Sequence, residues 1–129
     1  MTSICGGATV YAKQLDRVSN FYAKVCGLST TLREGDYVVL EKGPFQLVVI
    51  RIPDRIANTF QIPSPPVRRE DTAIKLVFVV ESIAGSRAAA VELGGVIDSV
   101  EREWEFQGAR VCDGHDPEGN VIQVREHAL

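Results

Sequence analysis

Few side chains in this 129-residue sequence are of the types that do acid–base or nucleophilic chemistry, and their spacing narrows the choice. There are two histidines, His115 and His127, and three cysteines, Cys5, Cys26 and Cys112. His115 stands beside Asp116, but no serine or cysteine sits in a nucleophile motif, so the pair does not make a triad. A turn-bonding or solvent-facing role is the expectation for His115, and none is assigned to His127. Lys75 could serve as acid, base or electrostatic stabiliser; a lysine at a strand start is equally suited to solvent. Gln123 and Arg125 lie two apart and share a strand face. Arg125 either reaches a ligand or is solvated. Tyr11 alternates with Thr9 and lines a cavity or packs; Trp104 stacks on a flat ligand or packs.

The cysteines are odd in number, widely separated and without CxxC spacing. That pattern suits reduced thiols in a cytoplasmic protein better than a disulfide framework. Cys26 falls on an apolar helix face and reads as core. A net charge of −3 with no basic stripe argues against nucleic acid as a partner. The cluster Arg68-Arg69 is offset at once by Glu70-Asp71. No apolar run reaches membrane-spanning length, and the first residues lack the pattern of a secretory signal.

The elements that must position these groups follow from periodicity. A short strand runs over Ala8–Lys13, and Leu15, Val18, Phe21, Tyr22 and Val25 set a helix over 15–26 that Gly27 stops. Strands are predicted over Leu28–Arg33, Tyr37–Glu41 and Phe45–Ile52, with turns at Gly35 and Gly43 between them. Residues 53–72 hold four prolines and form a long connection, in which the apolar Phe60 and Ile62 suit a cavity mouth or a dimer interface. A β-branched run, Ile74–Val80, then precedes a helix over 83–93 capped by Ser82 and ended by Gly94-Gly95. Strands near Val96–Val100, Trp104–Asp113 and Val121–Glu126 complete the chain. Adding 68 carries Val10 to Phe78, Leu15 to Ile83 and Gly27 to Gly95, the signature of an internal βαβββ repeat over 7–52 and 73–127 in a single domain. Two such open sheets, paired, would enclose a cleft.

"QLDRVSNFYAKVCGL" and "DPEGNVIQV" resemble the first helix and the final turn and strand of the vicinal oxygen chelate superfamily, the group of glyoxalases, bleomycin-resistance proteins and ring-cleaving dioxygenases. "KLVFVVESI" with the later "GGV" is similar to the start of its second repeat. The resemblance implies an α+β fold of curved mixed sheets around a cavity, often in a homodimer, and in many members a divalent metal held by His, Glu or Gln. Carried over position by position, the metal sites fall on Gly7, Gln46, Lys75 and Gln123. That set offers neither imidazole nor carboxylate, and two amide oxygens beside an ammonium are poor ligands for a transition metal. The expectation is therefore a protein without metal or other cofactor that binds a small organic molecule, with Tyr11, Gln46, Lys75, Trp104, Gln123 and Arg125 as candidate contacts. An unpaired Lys75 would favour an anionic ligand. A metal-independent isomerase or lyase using Lys75, or a regulatory subunit without ligand, are the alternatives.

Overall fold

Leu15, Val18, Phe21, Tyr22 and Val25 are all buried along one side of a helix, α1 (Leu15–Val25), and this side organises the molecule. The computed structural model describes residues 3–128. Around α1 are arranged the strands β1 (Gly6–Ala12), β2 (Ser29–Arg33), β3 (Tyr37–Lys42) and β4 (Phe45–Arg51), which form sheet A in the order β1-β4-β3-β2. A short helix α2 (Asp54–Ala57) interrupts the connection expected to be irregular. Then come β5 (Leu76–Val79), α3 (Ile83–Glu92), β6 (Val96–Ile97), β7 (Trp104–Phe106), β8 (Ala109–His115) and β9 (Val121–His127). They form sheet B in the order β5-β9-β8-β6, with β7 beside the other half of β8.

Both sheets are mixed in the same way: the first strand of each unit runs parallel to the last, and the other pairs are antiparallel. The α+β class and the curved double-sheet architecture are those expected. Helix α1 touches β3, β4 and α3, while α3 touches β6 and β9. Apolar residues from both helices and the inward sides of both sheets thus merge into one core, and Phe78 of β5 meets Tyr22 of α1 and Phe45 of β4. The opposite face of each sheet points outward.

Several expected boundaries are corrected. The run Trp104–Asp113 is two strands, because Gln107 (φ 50°) and Gly108 (φ 78°) fold back as a two-residue hairpin turn with both residues left-handed. Val96–Val100 shortens to Val96–Ile97, followed by a 3₁₀ turn over Val100–Arg102. Ile74–Val80 shortens to Leu76–Val79, which leaves Lys75 just outside the strand. The helices both begin at the 68-residue offset, Leu15 and Ile83, but α3 is one residue shorter. Hence Gly94, not Gly95, takes the left-handed turn that answers Gly27. Gly95 serves close packing instead: a Cβ there would lie 2.3 Å from the Phe21 ring and 2.6 Å from the His115 carbonyl.

The long connection is anchored rather than loose. Arg68 binds Asp98 through two nitrogens, at 2.6 and 3.0 Å, and its Nε donates to His115 Nδ1 at 3.0 Å. His115 is buried, in contrast to a solvent-facing expectation, and desolvation followed by the nearby Arg68 cation pushes its pKa below 6.5. Asp116 and Asp98 oppose that shift more weakly. In the unfolded chain His115 takes up its proton first, so its contribution to stability is complete above about pH 6.5 and is lost as pH drops below it. Urea unfolding between pH 7.5 and 5.5 should show this decline. His115→Gln, which keeps an acceptor for Arg68, should flatten it; an unchanged slope would assign the effect to other groups.

Candidate functional site

Chemistry at a ligand requires side chains on the outward faces. On sheet A the strand register places Gly7, Gln46 and Glu41 in one row and Tyr11, Ile50 and Tyr37 in another. Gln46 Nε2 donates to Glu41 Oε2 at 3.2 Å. On sheet B the rows are Val77, Gln123 and Asp113, then Val79, Arg125, Val111 and Trp104. A continuous polar chain crosses this second face. Lys75 Nζ donates to both oxygens of Asp113 at 3.1 and 3.0 Å, and Gln123 Nε2 donates to Asp113 Oδ1 at 3.2 Å. Arg125 Nε donates to Gln123 Oε1 at 2.8 Å, and its guanidinium lies 5.0 Å from the centre of the Phe106 ring.

Three of the six candidate contacts, Lys75, Gln123 and Arg125, are thus joined, with Trp104 two strands away in the Arg125 row. Tyr11 and Gln46 belong to the other sheet. The expectation of an unpaired Lys75 ammonium is corrected: Asp113 already neutralises it. Asp113 was missed because it lies 38 residues from Lys75 in sequence. A signal did exist: a hairpin centred on Glu118 sets 113 opposite 123, each five residues away, as the observed register confirms.

The positions that hold a metal in the superfamily do not fit one here. A Cβ at Gly7 would sit 2.2 Å from the Gln46 carbonyl oxygen, so no ligating side chain can grow from that position without moving the strands. Lys75 presents only donors, and Gln123 is engaged by Asp113 and Arg125. The register also replaces Gln46 as the mate of Gln123. Thr9 pairs with Val48 and Val77 with Gln123, and 9 + 68 = 77, so Val48 occupies the matching position. Among the described residues no group of three or more His, Cys, Asp or Glu could hold a metal ion.

The turn at Asp116 proves to be a clamp on α1. Asp116 is fully buried and takes the Tyr22 hydroxyl at 2.7 Å, while Glu118 takes the backbone N–H groups of Lys13 and Gln14 at 2.9 and 2.8 Å. Glu118 therefore caps a helix whose own Gln14 supplies no cap. Burial, reinforced by the Asp116 carboxylate, pushes the Tyr22 phenol well above 10. Burial likewise raises the Cys26 thiol, which leaves it unreactive.

A groove of about 750 Å³ runs between β1 and the start of sheet B. Its walls are Gly7 to Tyr11 on one side and Ile74, Leu76 and Val121 on the other, with Arg69, Asp71 and Asn120 at its polar parts. Of the predicted contacts only Tyr11 lines it. Sequence reasoning missed Arg69, Asp71 and Asn120; the charge cluster 68–71 was visible but read only as basic residues offset by acidic ones. Phe60 and Ile62 are not there. Phe60 lies under the Lys13 ammonium, 4.6 Å from ring centre to Nζ, and Ile62 lines a separate crevice beside Pro117. A further hollow of about 620 Å³ holds Arg17, Arg33 and Arg51, two of which are already bound to Asp16 and Asp36.

A family model described as a glyoxalase-like domain matches residues 7–125. The chain belongs to the glyoxalase-like domain family. No curated protein matches its sequence. Among solved structures, a glyoxalase/bleomycin resistance protein from Albidiferax ferrireducens superposes with a TM-score of 0.66 at 16% identity, covering 95% of this chain and 98% of that one. A glyoxalase/bleomycin resistance protein/dioxygenase family enzyme from Burkholderia phytofirmans gives 0.66 at 15% identity, covering 95% and 97%. The fosfomycin resistance protein FosX from Mesorhizobium loti gives 0.64 at 9% identity, covering 100% and 96%. Identities this low show a shared glyoxalase-like fold and no more. No helix among the described residues is long and apolar enough to cross a membrane.

Proposed function

We propose that this glyoxalase-like chain binds a small organic molecule, without metal or cofactor, in the groove between its two repeats, 7–52 and 73–127. The observation that carries the reading is the groove itself, about 750 Å³ and walled by the first strand of one repeat and the start of the other. That volume suits a drug-sized ligand, and a mainly apolar lining with a few polar groups is how such sites are built. The unsuited donor set at Gly7, Val48, Lys75 and Gln123 supports binding without metal. Lys75 is a poor choice for a catalytic base while Asp113 holds its ammonium, which weighs against the enzyme alternative. Exposed Tyr11, Val77, Val79, Trp104 and Phe106 on the two outward faces favour a homodimer. The free thiols Cys5, Cys26 and Cys112 favour a reducing, cytoplasmic setting.

Protein purified without tag or added metal should bind the fluorescent probe 1-anilinonaphthalene-8-sulfonate at one site per chain. Thr9→Trp, which fills the groove from its β1 wall, should abolish that binding. Native mass spectrometry of the same sample should show dimers free of stoichiometric metal. A divalent ion that survives dialysis, or probe binding indifferent to Thr9→Trp, would overturn the reading.

A further inference from the structure

We infer that the groove takes its ligand along the open backbone edge of β1, as an extended amide chain with charged ends: a short peptide or peptide-like molecule. The inference rests on the groove's being the ligand site, as proposed above.

Three observations lead there. First, β1 is the end strand of sheet A and pairs only with β4. Ile52 N–H donates to the Ala12 carbonyl, so the backbone of Ala12 faces β4. Strand alternation turns Ala8 and Val10 the same way and turns the N–H and C=O of Gly7, Thr9 and Tyr11 to the open side. Second, all five residues from Gly7 to Tyr11 line the groove. Successive side chains point to opposite faces, so a hollow that five in a row border runs along the strand's edge and meets the backbone there. The groove is thus faced by three donors and three acceptors along roughly 13 Å of strand, at the spacing with which another strand would pair.

Third, this edge is undefended. Exposed edge strands are normally protected from pairing by charges, prolines or bulges. Sheet A does this at its other edge, where β2 carries Arg33 and a register irregularity between Thr30 and Leu32. The sequence of β1, GGATVYA, has no charge and no proline, and its register with β4 is unbroken. The charges that border the groove sit instead on the linker. Arg69 and Asp71 line it, and neither side chain has an ion-pair partner among the described residues. An arginine and an aspartate suit a molecule that brings both a carboxylate and an ammonium, as a free peptide does. A simple organic anion would satisfy Arg69 and meet repulsion from Asp71.

The test uses penta-alanine with free termini and its fully N-methylated counterpart, which keeps the charges and loses every amide donor. Penta-alanine should slow hydrogen exchange at the amides of Gly7, Thr9 and Tyr11 and leave Ala8 and Val10, already bonded to β4, unchanged. The N-methylated peptide should bind at least about ten-fold more weakly. Thr9→Pro removes one outward N–H while sparing the β4 ladder, and should weaken penta-alanine by about five-fold without loss of fold. Equal affinity of the two peptides would overturn the inference. So would slow exchange at Gly7, Thr9 and Tyr11 in the free protein that speeds up on dilution, since a second copy would then cover the edge. Binding of 1-anilinonaphthalene-8-sulfonate without binding of penta-alanine would sink this inference alone; binding of neither would sink the proposed function with it.

Discussion

Replacing Asp116 with alanine is expected to lower folding stability by about 3–5 kcal/mol. Its fully buried carboxylate accepts four hydrogen bonds. Oδ2 takes the Tyr22 hydroxyl at 2.7 Å and Asn120 Nδ2 at 2.8 Å; Oδ1 takes the backbone N–H of Glu118 at 2.8 Å and of Asn120 at 3.1 Å. Bonds to a charged acceptor contribute roughly 1.5–3 kcal/mol each, and a buried donor left without a partner costs about 1–3 kcal/mol. Water entering the space left behind would recover part of the loss, which brings the sum down to the stated range. Losing the turn also loosens Glu118 from the start of α1, so the effect spreads to the helix. Asp116→Asn keeps the shape but turns an NH₂ group toward donors, and should fall between alanine and the native residue. Urea unfolding measures all three, and a loss below about 1 kcal/mol for alanine would show that the carboxylate is dispensable.

A comparable loss, about 3–5 kcal/mol, is expected for Phe78→Ala. Phe78 is only 4% exposed, and its ring centre is 5.7 Å from those of Tyr22 and Phe45, the latter edge-on at 86°. It is the place where sheet A, sheet B and α1 meet. Removing the ring deletes buried apolar surface and leaves a cavity that strands fixed in two different sheets cannot collapse to fill. Phe106→Ala deletes the same atoms from an outward position that is 45% exposed, and should cost less than about 1 kcal/mol. Similar losses for the two would mean that Phe78 holds nothing together.

The elements were readable wherever one local signal decided them. The apolar spacing from Leu15 to Val25 and the Ser82 cap, whose Oγ accepts from Gly85 N–H at 3.0 Å, place both helices correctly. The hairpin at Gln107-Gly108 was not readable, because a left-handed glutamine has no compositional signature; strand pairing imposes it. Candidate residues fared according to distance. Gln123 and Arg125 share a face by simple alternation, and they do touch. The partner that neutralises Lys75 depends on sheet register across 38 residues. The wall of the groove was hidden for a different reason. Its β1 side follows the strand's unpaired edge, and which side of a strand lies open is a property of the sheet and not of residue type.

Glu118 caps α1 from 104 and 105 residues away, through Gln14 and Lys13. During synthesis the first half of the chain must therefore wait for almost all of the second before its helix is finished. Before residues 116–118 are in place, the leading N–H groups of α1 and the Tyr22 hydroxyl have only water as a partner. Contacts this distant in sequence close slowly and late. The first helix is therefore expected to stay open to proteases until the turn at Asp116 closes on it.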